Sequence, residues 1–293
     1  MWNHIENHIA ENGHQPFKIQ QRSAISGGSI NQAFLLEGCG QRYFIKLNNR
    51  DALAMFTAEL AGLQAILNSA TIATPRPLCC GTAGENAFLV MSYIDRAAGD
   101  SGSHAQLGEQ LAAMHSQRCD YFGWQQDNTI GSTPQPNPPA QNWIDFWREH
   151  RLGFQLKLAR QNGFDGPLQT EGERLLDCFG ALFDGYTPQP SLLHGDLWSG
   201  NYCFDKSGTP LIFDPACYYG DREADIAMTE LFGGFNEQFY RAYQGALPLD
   251  SGYQTRKTLY NLYHILNHLN LFGSGYLSQT QQMIRQLLSE LAA

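Results

Sequence analysis

Three oxygen-bearing side chains fall close together in the second half of the chain: Asp196, Asn201 five residues on, and Asp214 thirteen residues further. They sit in Leu193-His194-Gly195-Asp196-Leu197-Trp198-Ser199-Gly200-Asn201 and Leu211-Ile212-Phe213-Asp214-Pro215. A carboxylate beside a hydroxyl can orient it and take its proton. An amide oxygen and a second carboxylate offer a hard cation such as Mg2+ the oxygen ligands it prefers. Phosphoryl transfer asks for that division of labour. Asp and Asn also crowd into loops for turn reasons alone. What sets this group apart is Asp214, at the end of an apolar β-run.

The Asp-Leu-x-x-x-Asn core matches the catalytic loop of kinase chemistry, with Gly195 where protein kinases carry Arg. Lys46 lies inside an otherwise apolar β-run, and Glu59 follows thirteen residues later on a helical pattern. A strand lysine fixed by a helix glutamate can hold nucleotide phosphates, although a lysine on an alternating strand can also simply face water. Gly27-Gly28-Ser29 falls between two strands, where a glycine loop lets backbone N–H groups approach phosphate. No G-x-x-x-x-G-K-[ST] run is present, which excludes a P-loop nucleotide site.

The elements that must position these residues change character along the chain. Residues 17–25, 33–36 and 43–47 read as three short strands separated by glycine turns, an antiparallel meander. Asp51 is placed to cap a helix reaching about residue 67, with Leu53, Phe56, Leu60, Leu63 and Leu67 at helical spacing. Residues 88–91 form a fully apolar strand, and residues 91–94 (Met91, Ser92, Tyr93, Ile94) mark the boundary of the β-rich unit. From His104 onward the pattern is helical, interrupted by a proline-rich wrap at 121–141 and two short apolar runs within 192–213. On the final helical stretch Leu259, Leu262, Ile265, Leu266 and Leu269 make one apolar stripe. His115 follows an apolar helix face and reads as structural. Asp221 and Asp225 read as caps or braces for the helix after the Asp214 loop.

Composition bounds the class. The 293 residues are 43% hydrophobic and 16% charged, which suits a folded protein with a sizeable core. With 19 Lys+Arg against 28 Asp+Glu, the net charge of −9 predicts neither a nucleic-acid nor an anionic-membrane partner. The seven cysteines have irregular spacing and no C-x-x-C pair. The first residues lack the basic and apolar regions of a signal peptide, and no apolar stretch approaches the ~18 residues of a membrane span. The expected class is a reduced, soluble, cytoplasmic protein.

Longer blocks carry a family resemblance. His194-Gly195-Asp196-Leu197-Trp198-Ser199-Gly200-Asn201, the run Asp214-Pro215-Ala216-Cys217-Tyr218-Tyr219-Gly220-Asp221-Arg222-Glu223-Ala224-Asp225, and a block from Phe122-Gly123 through Ile130-Gly131-Ser132-Thr133-Pro134-Gln135-Pro136-Asn137 to residues 143–151 resemble the fructosamine (ketosamine-3-) kinases. These belong to the wider aminoglycoside-phosphotransferase-like group of small-molecule kinases. The resemblance covers nearly the whole chain. It departs at Ser29, where some members have Cys, so it carries no thiol-based redox control through that loop.

The resemblance implies an α+β, two-lobed, protein-kinase-like fold. Residues 1–94 would be a nucleotide-binding lobe of antiparallel sheet and one helix, and residues 95–293 a larger helical catalytic and substrate lobe. It makes Asp196 the catalytic base, Asn201 and Asp214 the Mg2+ ligands, and Lys46, steadied by Glu59, the holder of the ATP phosphates under Gly27, Gly28 and Ser29. The backbone of Met91, Ser92, Tyr93 and Ile94 would meet the adenine. The implied reaction is phosphorylation of the 3-hydroxyl of a ketosamine such as fructosamine, ribulosamine or erythrulosamine, a deglycation-type activity. Asp127, Asn128 and Trp198 are candidates for the sugar pocket, since an aromatic face and short polar groups suit a hydroxylated cation.

Three alternatives stand beside this reading. The acceptor could be a choline-like amino alcohol or an aminoglycoside. The fold could bind nucleotide without catalysis. A metal-dependent hydrolase could be built on His194, Asp196 and Asp214, which leaves Lys46 and Glu59 without a role. The distribution of charge favours a cationic acceptor. Residues 1–94 carry six acidic and six basic side chains, whereas residues 191–230 alone carry seven acidic and two basic.

Overall fold

The computed structural model describes residues 1–26 and 30–292. Gly27, Gly28 and Ser29, expected over the phosphates, lie outside the described residues. The chain opens with a helix, α1 (Trp2–Gly13), followed by β1 (Gln21–Ile25), β2 (Gln32–Gly38) and β3 (Gln41–Asn49). Helix α2 (Leu53–Ser69), β4 (Pro77–Ala83) and β5 (Asn86–Ser92) complete the unit. The five strands form one antiparallel sheet in the order β1-β2-β3-β5-β4. The expected meander is its first three strands. Helix α1, not anticipated from the sequence, covers the face from which Ile45, Phe88 and Val90 point, using Ile5 and Ile9. Helix α2 covers the other face, with Phe56 and Leu63 against Ala87, Leu89 and Met91.

That double cover explains why β5 is apolar at every position from Ala87 to Met91. Side chains alternate between faces along a strand, and here both faces are buried. Truncating Phe56 or Leu63 to Ala would cost about 2–5 kcal/mol. Asp51 does not cap α2. It lies in a short 3-10 turn, Arg50–Ala52, and the helix starts at Leu53 without a side-chain cap.

Beyond the sheet, β6 (Arg96–Ala97) and α3 (Ser101–His115) lead into a hairpin, β7 (Asn128–Ile130) and β8 (Thr133–Gln135). This hairpin lies inside the segment expected to be an ordered wrap. Helices α4 (Trp143–Trp147), α5 (Gly153–Gln161) and α6 (Pro167–Cys178) follow, with a π-helical turn, Arg148–Leu152, joining α4 to α5. Short strands β9 (Ser191–Leu193), β10 (Tyr202–Asp205), β11 (Pro210–Ile212) and β12 (Tyr218–Gly220) precede α7 (Glu223–Leu231), α8 (Glu237–Ala246), α9 (Tyr253–Phe272) and α10 (Leu277–Glu290). β10 pairs with both β11 and β6, so the segment leaving the five-stranded sheet is stitched to the second part of the chain.

The long helix α9 carries the second core. Leu259, Leu262, Ile265, Leu266 and Leu269 are all fully buried, as their spacing predicts. Among the described residues, no helix is long and apolar enough to cross a membrane.

Candidate active site

Strand β9 delivers the turn that holds Asp196. Gly195 sits at φ 83°, and a Cβ there would lie 2.1 Å from the carbonyl oxygen of Ala216, so only glycine fits. The His194 ring, fully buried, donates from Nε2 to the carbonyl of Phe213 at 2.9 Å, and its Nδ1 accepts the Asp196 N–H at 3.3 Å. Burial lowers the His194 pKa, which favours the neutral ring that both bonds require.

The turn is held from below by Asp225 on the first turn of α7. Its carboxylate accepts the backbone N–H groups of His194 at 2.7 Å and Gly195 at 2.8 Å, and Nε2 of His115 donates to it at 3.1 Å. His115 Nδ1 in turn meets the Tyr243 hydroxyl at 2.8 Å. Burial alone would raise the Asp225 pKa. The hydrogen bonds from His115 and from the N–H of Gly195 outweigh it and hold the carboxyl below its usual range. Asp225 thus braces the Asp196 turn itself. Asp221 is the residue tied to the start of α7, accepting the N–H of Glu223 and the hydroxyls of Tyr186 and Tyr260.

Asp196 is half-buried, and its carboxyl is pushed up to about 7, first by loss of solvent and then by the charge of Asp214. Asn201 donates from Nδ2 to the Asp196 backbone carbonyl at 2.8 Å and to its Oδ2 at 3.2 Å. This spends the nitrogen and leaves Asn201 Oδ1 with no hydrogen-bond partner among the described residues. Asp214 stands at φ 59°, a left-handed conformation that Asp tolerates better than most side chains and that is common where function holds it. Its Oδ1 accepts Lys46 Nζ at 2.8 Å, and Oδ2 has no partner among the described residues. Two free oxygens of the type a hard cation prefers are therefore presented by Asn201 and Asp214.

Lys46 projects from β3 and is buried, donating also to Glu59 Oε1 of α2 at 2.7 Å. Burial works to lower its pKa, but the charges of Glu59 and Asp214 overcome it, so the ammonium is held above its ordinary range. At the edge of β5, the N–H of Ser92 donates to the carbonyl of Arg76, and that of Tyr93 to the carbonyl of Arg42. Ile94 follows, and its N–H makes no such bond among the described residues.

These groups share one cavity of about 880 Å³. Its walls include Lys46, Glu59, Met91, Ser92, Tyr93, Ile94, Asp196, Trp198, Asn201 and Asp214. Asn128 also lines it, but its amide is committed: Nδ2 donates to the Cys217 carbonyl, and Oδ1 accepts from Gln135 and Asn137. Trp198 is 41% exposed, a large aromatic face left open beside Asp196. Asp127 is not on the cavity wall. It is exposed, and its Oδ1 joins the base of the β7–β8 hairpin by accepting the N–H of Asn137 at 2.7 Å.

Sequence reasoning missed Phe232, His264, His268 and Phe272, which also line the cavity. The i, i+4 spacing of His264 and His268, across α9 from its apolar stripe, was the available signal.

A sequence model described as fructosamine kinase matches residues 1–290. The chain is 48% identical over 288 residues to a protein of Synechocystis named "Probable ketoamine kinase", covering 98% of this chain and 97% of that one. It is 43% identical over 281 residues to the chloroplastic protein-ribulosamine 3-kinase of Arabidopsis thaliana, covering 94% and 85%. Its structure superposes on a candidate fructosamine-3-kinase from Haemophilus somnus with a TM-score of 0.90 at 30% identity, covering 98% of both chains. The aminoglycoside phosphotransferase APH(4)-Ia superposes with a TM-score of 0.65 at 16% identity over 99% of each chain, a likeness of fold alone. The fold is accordingly the α+β, protein-kinase-like one. With a family match across 290 positions and relatives aligned along nearly their whole length, the chain belongs to the fructosamine kinase family.

Proposed function

We propose that this protein is an ATP-dependent kinase that phosphorylates the 3-hydroxyl of a ketosamine. The observation that carries the reading is the convergence of Lys46, Glu59, Asp196, Asn201 and Asp214 on one cavity, in a chain of this family. The functional division follows the chain: residues 1–94 hold the nucleotide and residues 95–293 supply the catalytic turn and the acceptor wall.

In the proposed step the acceptor oxygen attacks the γ-phosphorus of ATP. The bond to the β–γ bridging oxygen breaks with its electron pair leaving on ADP, and the hydroxyl proton passes to the Asp196 carboxylate. Lys46 holds the phosphates and is itself held by Glu59. The Ile94 N–H, without a backbone partner among the described residues, is the donor for the adenine edge. Asn201 and Asp214 would hold Mg2+, and the donor set of one amide oxygen and one carboxylate oxygen fits it. When bound, the ion neutralises phosphate charge. Asn201 additionally fixes the Asp196 carboxylate by its Nδ2 bond, so the base and the ion site are built as one unit.

Trp198 offers its face to the sugar or its cationic amine. Asn128, its amide already satisfied, shapes the wall rather than reading the acceptor. The name of the Arabidopsis relative supports a ribulosamine-type acceptor.

The test is ATP consumption with a panel of four-, five- and six-carbon ketosamines beside choline and an aminoglycoside. Turnover with a ketosamine is the expected result. Turnover with choline or the aminoglycoside alone would overturn the choice of acceptor, and ATP binding with no turnover on any acceptor would favour a non-catalytic role.

A further inference from the structure

The residues 121–151, distinctive in sequence yet unused by the transfer chemistry above, converge on one buried cation. Arg151 is fully buried. Its hydrogen bonds go to the carbonyls of Pro136 at 2.7 Å and His150 at 3.0 Å and to Asn137 Oδ1 at 2.6 Å, and among the described residues none goes to a carboxylate. Its Nε has no hydrogen-bond partner among the described residues. The guanidinium instead lies over the rings of Tyr218, 4.1 Å from the centroid, and Phe146, 4.6 Å away. A buried charge with no counter-ion is expensive, and such a group persists where it holds something in place.

What it holds can be followed bond by bond. Asn137, fixed through Oδ1 by Arg151, donates from Nδ2 to Asn128 Oδ1 at 3.0 Å. Asn128 donates onward to the Cys217 carbonyl at 2.8 Å. Gln135 joins the same oxygen of Asn128 at 2.7 Å and the Ala216 carbonyl at 3.2 Å, while the hydroxyl of Tyr263 on α9 donates to Gln135 Oε1 at 2.7 Å. Asn128, Thr129, Ile130, Gly131 and Ala216 are cavity wall. Arg151 itself is not. It stands two hydrogen bonds behind the wall and ties the β7–β8 hairpin to the segment that follows Asp214.

The backbone is bent to put it there. Arg151 lies in the π turn Arg148–Leu152, whose extra residue rotates the helix face by about 100° relative to an uninterrupted α-helix. Gly153 follows, where a Cβ would come within 2.3 Å of the Arg148 carbonyl. The nucleotide-side groups Lys46 and Glu59 take no part in this chain of bonds.

We propose that Arg151 is a positioning residue for the acceptor: through Asn137 and Asn128 it sets the shape of the wall against which the phosphate-accepting sugar is held. The proposal rests on reading that end of the cleft as the acceptor side. Arginine is required, because a planar fork can stack on two aromatic faces while bonding Pro136 and Asn137 together, and a lysine ammonium cannot.

The experiment is steady-state kinetics on Arg151→Lys and Asn137→Ala in the full chain, with KM measured separately for acceptor and ATP, alongside ADP affinity and thermal unfolding. Asn137→Ala cuts the link while leaving the Arg151 stack, and decides the matter should Arg151→Lys fail to fold. The expected result in both is an acceptor KM raised about tenfold or more, with ATP KM and ADP affinity within about twofold of the parent. Equal rises in both KM values, or a lower kcat with the acceptor KM unchanged, would overturn it and leave Arg151 a packing residue. If the parent enzyme prefers a hydroxyl acceptor other than a ketosamine, the same ratio is measured with that acceptor. That outcome defeats the ketosamine reading alone.

Discussion

Lys46 and Asp214 are 168 positions apart in the chain and meet at 2.8 Å, the Nζ of one on an oxygen of the other. Glu59 closes the other side of the ammonium at 2.7 Å. One cation thus joins the sheet, its covering helix and the loop after β11 on the cavity wall. Removing it leaves two buried or half-buried carboxylates unpaired and takes away the group proposed to hold phosphate. Lys46→Met is expected to lower kcat/KM for ATP by about 100-fold or more, as truncation of buried charge pairs does. Glu59→Gln, which keeps the lysine, is expected to cost less. Initial rates against ATP concentration check both.

Asn201 and Asp214 should show themselves through the metal. Asn201→Ala removes one oxygen ligand and Asp214→Asn removes the negative charge of the other, and each is expected to raise the Mg2+ concentration giving half-maximal activity by about tenfold or more. A Mg2+ titration at fixed ATP reads this directly. An unchanged midpoint in both variants would take the ion site away from these residues.

Trp198 is exposed on the cavity wall. Trp198→Ala is expected to raise the acceptor KM by about tenfold while leaving ATP KM unchanged, because loss of a stacked aromatic face against a cation costs about 1–2 kcal/mol. Kinetics with varied acceptor at saturating ATP decide it.

Asp225 links the site to pH stability. Its carboxyl titrates lower in the folded chain than in the unfolded one, so its contribution is fully present above the unfolded value, near 4. It is lost as pH falls through and below that value. Asp225→Asn, which strands the N–H groups of His194 and Gly195 against an amide nitrogen or a weaker acceptor, is expected to destabilise the fold by about 1–3 kcal/mol at pH 7. The gap to the parent should shrink between roughly pH 5 and pH 3. Urea unfolding at a series of pH values gives both numbers, and a gap that stays constant across that range would show that the ionised form is not what matters.

The sequence made some of this legible and hid the rest for identifiable reasons. Asp196, Asn201 and Asp214 lie within nineteen residues, so their chemistry can be read from local spacing, and Lys46 with Glu59 adds a strand–helix pair of the same kind. Strand β5 was visible because burial on both faces makes it apolar throughout. Helix α1 was not, since its inward stripe is little more than Ile5 and Ile9 on an otherwise polar segment. Asp225 was assigned to its own helix because nothing local reveals that its carboxylate reaches two N–H groups thirty residues upstream. Asp127 was chosen by residue type, and an Asp in a loop serves the turn as readily as a ligand. The 121–151 block stood out as unusual, but its meaning needed the three-dimensional path from Arg151 to Asn128.

The central claim is that Asp196 takes the proton from a ketosamine 3-hydroxyl as ATP gives up its γ-phosphate. The most direct measurement is NMR analysis of the product formed from ATP, Mg2+ and a ribulosamine by the parent enzyme and by Asp196→Asn, with ATP binding measured on both. The account predicts a 3-phosphate with the parent, and in Asp196→Asn a turnover lower by orders of magnitude with ATP binding retained. Phosphate on another hydroxyl, or undiminished turnover in Asp196→Asn, would contradict it.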